Sequence, residues 1–325
     1  MKIDMKVLGA LVALACVASG ASAAQVEFDR EALRTTPERL GIGMGGVASY
    51  ELAAYDFDPQ AAQKRARELF GKSPAAAKAR GARVETVDGK DRLKISAGPV
   101  EYEMAMRSGG EYLLDLSRYA IAEPAAKVPA SKDLRATSDA YVKAFLPGID
   151  AREIRFVGFK RIMDSATELG ADGVPKPGAA TTSTVASYVA LYERRLAGVP
   201  VFGPGERVRV YLGSDGKVTG HSMVWRKVAA RLDTRPVVST REIQKVLVER
   251  HAKNTADRIT VDRIYFGYLA QGRYSEQATL SPVYHVGFVY GPESKRVFET
   301  FDAYTGRLIE FARRDEPSDD KRAQR

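Results

Sequence analysis

The chain has 325 residues, with 45% hydrophobic and 28% charged residues and a formal net charge of +9. That balance is ordinary for a globular protein, and a chain this long can bury one or several cores. Cys16 is the single cysteine, which excludes a disulfide framework and a thiolate metal site.

Residues 1–23 read as an export signal. Lys2 and Lys6 precede an apolar run at 7–17, and Ala21-Ser22-Ala23 gives the small-x-small pattern of a cleavage site. The run is too short for the roughly 20 helical residues that span a bilayer. Cys16 after Ala13-Leu14-Ala15 loosely resembles a lipidation box, but Ala13 stands where such boxes carry Leu. Cleavage near Ala24 is therefore the favoured expectation, and it leaves a mature chain without cysteine. The protein is expected in the periplasm or outside the cell. Export and the absence of any run of five like charges argue against a nucleic-acid partner. The basic surplus suits weak peripheral attraction to anionic envelope polymers or lipid headgroups.

Downstream, one plan recurs three times: an amphipathic helix, then strands. The first helix is expected over 58–72. Asp58 serves as cap, Pro59 stands at the first helical position, and Ala62, Ala66, Leu69 and Phe70 share one face. Strands are expected at 83–87, 91–96, 100–107 and 111–116, with Asp88-Gly89 and Gly109-Gly110 as turns. An Ala/Pro-rich linker follows at 124–130. The second helix covers 131–146 and ends before Pro147-Gly148. Strands follow at 153–163, 184–196, 207–212 and 217–228, with a Gly/Pro/Thr-rich loop at 164–182. Along 207–212, Val208, Val210 and Leu212 point one way while Arg207, Arg209 and Tyr211 point the other.

The third helix opens with a capping box, Ser239-Thr240-Arg241-Glu242, and continues with Ile243, Val246 and Leu247 at helical spacing. Strands close the chain at 259–270, 283–290, 296–301 and 308–312. Residues 314–325 are nearly all polar and read as a tail. The expected class is α+β, with helices packed on antiparallel sheets. The expected modules span 24–123, 131–230 and 236–313.

Two segments resemble the PepSY and thermolysin-propeptide-like (FTP) modules of bacterial envelope and secreted proteins. The first is Gly198-Val-Pro200-Val-Phe-Gly203, followed by a strand and the Ser214-Asp215-Gly216 turn. The second, Asp302-Ala-Tyr-Thr305-Gly306, is similar to a PepSY closing hairpin. The resemblance spans about 131–311 in pieces, and no metallopeptidase domain with HExxH follows. It implies a non-catalytic protein that binds a protein partner in the envelope, inhibiting a secreted peptidase or assisting its folding. Gly198, Pro200, Gly203, Asp302, Thr305 and Gly306 also make sense as turn chemistry alone.

Reactive clusters are not visible. His221, His251 and His285 are isolated, so no metal or cofactor is expected. Gly220-His221-Ser222-Met223-Val224 begins like a nucleophile elbow but lacks the final Gly. The Gly41-Ile-Gly43-Met-Gly45-Gly46 cluster lacks the strand that precedes a phosphate loop. Aromatic residues are the remaining candidates. His221 and Trp225 lie in phase on one strand, and Tyr265, Tyr268, Tyr284, Phe288 and Tyr290 lie on neighbouring strands; they read either as plain sheet core and cross-strand pairs or as the lining of a groove for a peptide or apolar ligand, with His221, Trp225, Tyr284 and Tyr290 as the candidate contacts. The alternatives are therefore a carrier or sensor of a small apolar or anionic envelope ligand, and a hydrolase with dispersed catalytic residues.

Overall fold

The computed structural model describes residues 26–28, 35–42, 46–71, 83–87, 92–118, 129–146, 148–168, 170, 172, 174, 176, 178–251, 258–290 and 295–310. The export signal with Cys16, the Asp88-Gly89 turn, Gly43, Gly45, most of the expected linker, Pro147 and the polar tail lie outside the described residues.

Three helices form where capping and periodicity place them: α1 (Pro59–Phe70), α2 (Ser131–Phe145) and α3 (Thr240–His251). Asp58 Oδ1 accepts from the Gln60 amide at 2.7 Å and caps α1. Ser239 and Glu242 form the reciprocal capping box of α3, with Ser239 N donating to Glu242 Oε2 at 2.6 Å and Glu242 N to Ser239 Oγ at 3.2 Å. Thr240 Oγ1 also donates to Glu38 at 2.9 Å. Burial raises the Glu38 pKa, but hydrogen bonds from its own backbone, Thr36 and Thr240 outweigh burial and hold it below the usual value.

The rest is strand. Before α2 come β1 (Val26–Phe28), β2 (Val47–Leu52), β3 (Arg83–Val87), β4 (Arg92–Ala97), β5 (Val100–Ala105) and β6 (Glu111–Asp115). Between α2 and α3 come β7 (Ile154–Ala166), β8 (Thr182–Leu196), β9 (Val199–Phe202), β10 (Arg207–Gly213), β11 (Val218–Val224) and β12 (Val228–Arg235). After α3 come β13 (Ile259–Leu269), β14 (Thr279–Leu280), β15 (Pro282–Tyr290) and β16 (Lys295–Asp302).

This overturns the expected class of helices on separate antiparallel sheets. The described chain is mostly β, and one mixed sheet takes 13 strands in the order β16-β15-β13-β9-β8-β10-β11-β6-β5-β4-β3, with β1 on β13 and β7 on β8. A second sheet runs β12-β2-β14. Two joints fuse what the sequence shows as separate sets of strands. β11 pairs antiparallel with β6, and β13 pairs parallel with β9. Gly220 permits the first joint, because a Cβ there would stand 2.0 Å from the Leu113 carbonyl oxygen. Backbone ladders of this kind leave no side-chain period in the sequence, so periodicity finds the strands but not their partners.

The core divides into three clusters, each with one helix. α1 packs Ala62, Ala66, Leu69 and Phe70 on Leu93, Ile95 and Tyr102. α2 packs Leu134 and Val142 on Tyr188, Tyr192, Val208, Val210 and Leu212. α3 packs Ile243 and Leu247 on Ile264, Phe266, Tyr284, Val286 and Phe288. Val47, Tyr50 and Leu52 of β2 join this last cluster, far along the chain from α3. Burying each aliphatic side chain in these clusters contributes about 1.5–3 kcal/mol.

Candidate functional site: an arginine-lined groove on the helix-free face

Alternation on β10 sends Val208, Val210 and Leu212 into the α2 cluster, so Arg207 and Arg209 emerge on the opposite side of the sheet. On β13, Ile264 and Phe266 face α3, and Arg263 and Tyr265 emerge on that same opposite side. The parallel β9–β13 joint brings the two sets together. The result is a groove of about 690 Å³ whose lining includes Arg195, Arg207, Arg209, Arg263, Phe202, Tyr265, His285 and Phe298.

Its electrostatics are one-sided. Glu193 is the single acidic residue of the lining, and it already pairs with Arg195 at 3.1 Å. Arg207 and Arg209 have no hydrogen-bond or ion-pair partner among the described residues. Burial lowers the Arg207 pKa, the neighbouring Arg209 charge lowers it further, and Glu193 offsets only part of this. The guanidinium remains charged at neutral pH, as arginines do in proteins, but the site holds unneutralised positive charge in a partly desolvated place. An anion entering the groove relieves that strain.

The other wall is aromatic. His285 and Phe298 stack with centroids 4.8 Å apart and planes 1° from parallel, and Phe202 lies 5.5 Å from the His285 ring. Burial lowers the His285 pKa, and its Nδ1 lies 2.9 Å from Thr300 Oγ1. The imidazole is thus a neutral flat surface at pH 7. Planar guanidinium groups beside aromatic faces suit a carboxylate, sulfonate or phosphate attached to an apolar or planar body.

The four aromatic residues singled out from sequence are not brought together. His221 is fully buried, with Nε2 3.0 Å from Glu111 Oε1 and Nδ1 2.8 Å from the Tyr141 hydroxyl. Arg65 donates to the same Glu111 at 2.9 Å. Burial raises the Glu111 pKa, but His221 and Arg65 outweigh it and hold the carboxyl at about 2. This is a sealed, mutually satisfied bridge joining α1, β6, α2 and β11. Trp225 follows β11, with the Arg194 guanidinium 4.8 Å from its ring centroid. Tyr284 is buried against Phe266, and its hydroxyl donates to the Val238 carbonyl at 2.6 Å. Tyr290 closes β15, and its side chain lies outside the described residues.

Of the motif residues, Pro200 lies within β9, Asp302 ends β16, and the others sit in turns or at strand ends. Gly198, Gly203 and Gly306 have φ of 83°, 101° and 69°. Asp302 Oδ1 accepts from Thr305 N at 2.8 Å and Thr305 Oγ1 at 2.9 Å. Pro200 and Gly203 also form part of the groove lining. Among the described residues no group of three His, Cys, Asp or Glu side chains could hold a metal ion, and no helix is long and apolar enough to cross a membrane.

Arg195, Arg207, Arg209, Arg263, Phe202 and Phe298 are groove residues that were not singled out from sequence. The available signal was the outward face of β10, with arginines at alternate positions, but its partners on β13 and β16 become neighbours only through pairing.

No family model matches the chain, and no curated protein matches it. Among solved structures, an uncharacterized protein from Eubacterium rectale ATCC 33656 superposes with a TM-score of 0.51 at 11% identity, covering 82% of this chain and 86% of that one. At that identity the likeness speaks for the fold alone. The C-terminal domain of YpeB from Bacillus megaterium matches at 13% identity over 78% of this chain and 96% of that one, and its TM-score of 0.34 does not establish a shared fold.

Proposed function

We propose that the protein is an exported, non-catalytic binding protein of the PepSY and propeptide-like kind, and that the helix-free groove takes a small anionic ligand with an apolar or planar body. The observation that carries this reading is the pair Arg207 and Arg209, unpartnered among the described residues and facing an aromatic wall across one cavity. The positions of Gly198, Gly203, Asp302 and Gly306 at turns and strand ends support the modular resemblance.

Calorimetry with naphthalene-2-sulfonate as probe tests the groove, with neutral naphthalen-2-ol as control. The sulfonate binds and the alcohol binds at least tenfold more weakly. Arg207→Glu/Arg209→Glu weakens the sulfonate by roughly tenfold to a hundredfold, the equivalent of losing about 1.5–3 kcal/mol of charge-assisted hydrogen bonding. Equal affinity in wild type and the double variant refutes the assignment.

A further inference from the structure

β7 runs 13 residues and pairs with β8 alone, so its outer edge has no strand partner among the described residues. None of its residues is fully buried, and Val157 and Met163 are 58% and 49% exposed. A long edge with exposed apolar residues is an invitation to pairing that proteins ordinarily blunt. Here charge does the blunting, and it is of one sign. Arg155, Lys160 and Arg161 are exposed, against Asp164 as the only acidic residue of the strand. None of the three cations has a hydrogen-bond or ion-pair partner among the described residues.

That pattern discriminates between occupants. A second copy of β7 laid antiparallel would set like charges near one another across the new ladder, which is destabilising. An apolar strand would leave three cations unmatched. A strand with acidic side chains at alternate positions satisfies the open backbone and the two cations of one face, Arg155 and Lys160.

Arg155 and Lys160 are opposite Glu193 and Val189 and stand on the helix-free face, whereas Arg161 is opposite Tyr188 of the α2 cluster and stands on the other. Arg155 is opposite Glu193, which is opposite Arg207, so β7, β8 and β10 carry a row of Arg, Glu and Arg across the sheet. A carboxylate added outside Arg155 continues the alternation of sign. Two bulges, at Phe156/Gly158 and Ile162/Met163, divide the edge. The stretch between them, Gly158 to Ile162, holds Lys160 and Arg161 and offers a continuous register for a short segment.

We infer that the edge of β7 is a docking site for an extended acidic segment of a protein partner, which adds to the 13-stranded sheet as a further strand. Main-chain hydrogen bonds supply affinity, and the alternating carboxylates supply selectivity. The edge adjoins the groove, whose lining includes Val157 and Glu193, but the open backbone lies on the side of β7 away from β8.

The test uses the full chain and a fluorescein-labelled ten-residue peptide alternating glutamate and valine, read by anisotropy. A second peptide of the same sequence has every backbone nitrogen methylated, which keeps charge and removes strand pairing. The first peptide is expected to bind, the methylated one at least tenfold more weakly. Arg155→Glu/Lys160→Glu/Arg161→Glu abolishes binding, while Arg207→Glu/Arg209→Glu leaves it within twofold. Equal binding of the two peptides, which needs only wild-type protein, overturns strand addition in favour of charge alone. A β7-dependent dimer by light scattering overturns it in favour of a second copy. Loss of peptide binding in the groove variant alone also overturns it, placing the peptide in the groove.

Discussion

Replacing Glu206 should be among the most damaging single changes in the protein. Glu206 is fully buried and accepts from Arg194 Nη1 at 2.7 Å, from Arg226 Nη1 at 3.1 Å and from the Arg226 amide at 3.1 Å. Both arginines are buried too, so the carboxylate neutralises charge that water cannot reach. Removing one partner of a buried ion pair costs about 3–5 kcal/mol, because the other charge is left behind. Arg194 keeps Glu153 at 2.7 Å, and Arg226 keeps the carbonyls of Gly272 and Ser275 at 3.0 and 2.8 Å. These residual partners place Glu206→Gln near the lower bound, about 3 kcal/mol. The backbone adds a second handle. Glu206 has φ of 50°, a left-handed conformation that costs a side-chain-bearing residue about 1 kcal/mol relative to glycine. Glu206→Gly should therefore be about 1 kcal/mol less destabilising than Glu206→Ala, although it removes more atoms. The assay is urea denaturation followed through Trp225, the single tryptophan, which lies under the Arg194 guanidinium. A Glu206→Gln midpoint equivalent to less than about 1 kcal/mol would mean that the buried charges are not coupled as drawn. Equal stability of the glycine and alanine variants would dismiss the backbone argument.

Three further outcomes follow from the same structure. The folded-state pKa of Glu111 is depressed to about 2, so its contribution is complete above the unfolded carboxylate value near 4.3 and disappears as pH falls toward 2. Glu111→Gln should flatten the acid limb of a stability-versus-pH curve between about pH 5 and 2, and an unchanged limb would contradict the assigned bridge. Gly220→Ala drives a Cβ to 2.0 Å from the Leu113 carbonyl oxygen. It should cost about 1–3 kcal/mol and raise amide exchange at Leu113 and Leu114, where unchanged exchange would show that the joint can shift without loss. Asp302→Ala removes the acceptor for Thr305 N and Oγ1. A loss of about 1–2 kcal/mol in thermal or urea unfolding is expected, and no measurable loss would make the motif aspartate dispensable to the turn.

Local chemistry was readable from sequence, and pairing was not. Asp58 with Pro59, and Ser239 with Glu242, mark helix starts by bonds to nearby amides, so both helices begin where the residues say. Arg207 to Leu212 announces its two faces by strict alternation. Nothing comparable announces that Gly220 abuts Leu113, or that Val201 runs parallel to Tyr268, because those contacts are made by backbone that every residue shares. The groove inherits this blindness: Arg207 and Arg209 were visible as an outward face, but Arg263, Phe202 and Phe298 became their neighbours only through the β9–β13 joint. His221 misled for a related reason. Its phase with Trp225 suggested a shared groove wall, whereas the β6–β11 joint covered it with Glu111 and sealed it.

The stitching of β1 and β2 into the α3 cluster bears on the order in which the molecule can assemble. Tyr268 hydroxyl bonds the Ala48 carbonyl at 2.7 Å across a sequence separation of 220, and β1 lies along the start of β13. During synthesis these early residues emerge long before the strands that receive them. β2 can pair with β12 once residues 228–235 have emerged, but its place in the α3 cluster waits for the final quarter of the chain. Such distant closure is slow. The last event in folding should thus be an end-to-end reunion, in which β2, already beside β12, docks on the α3 cluster and covers Tyr268.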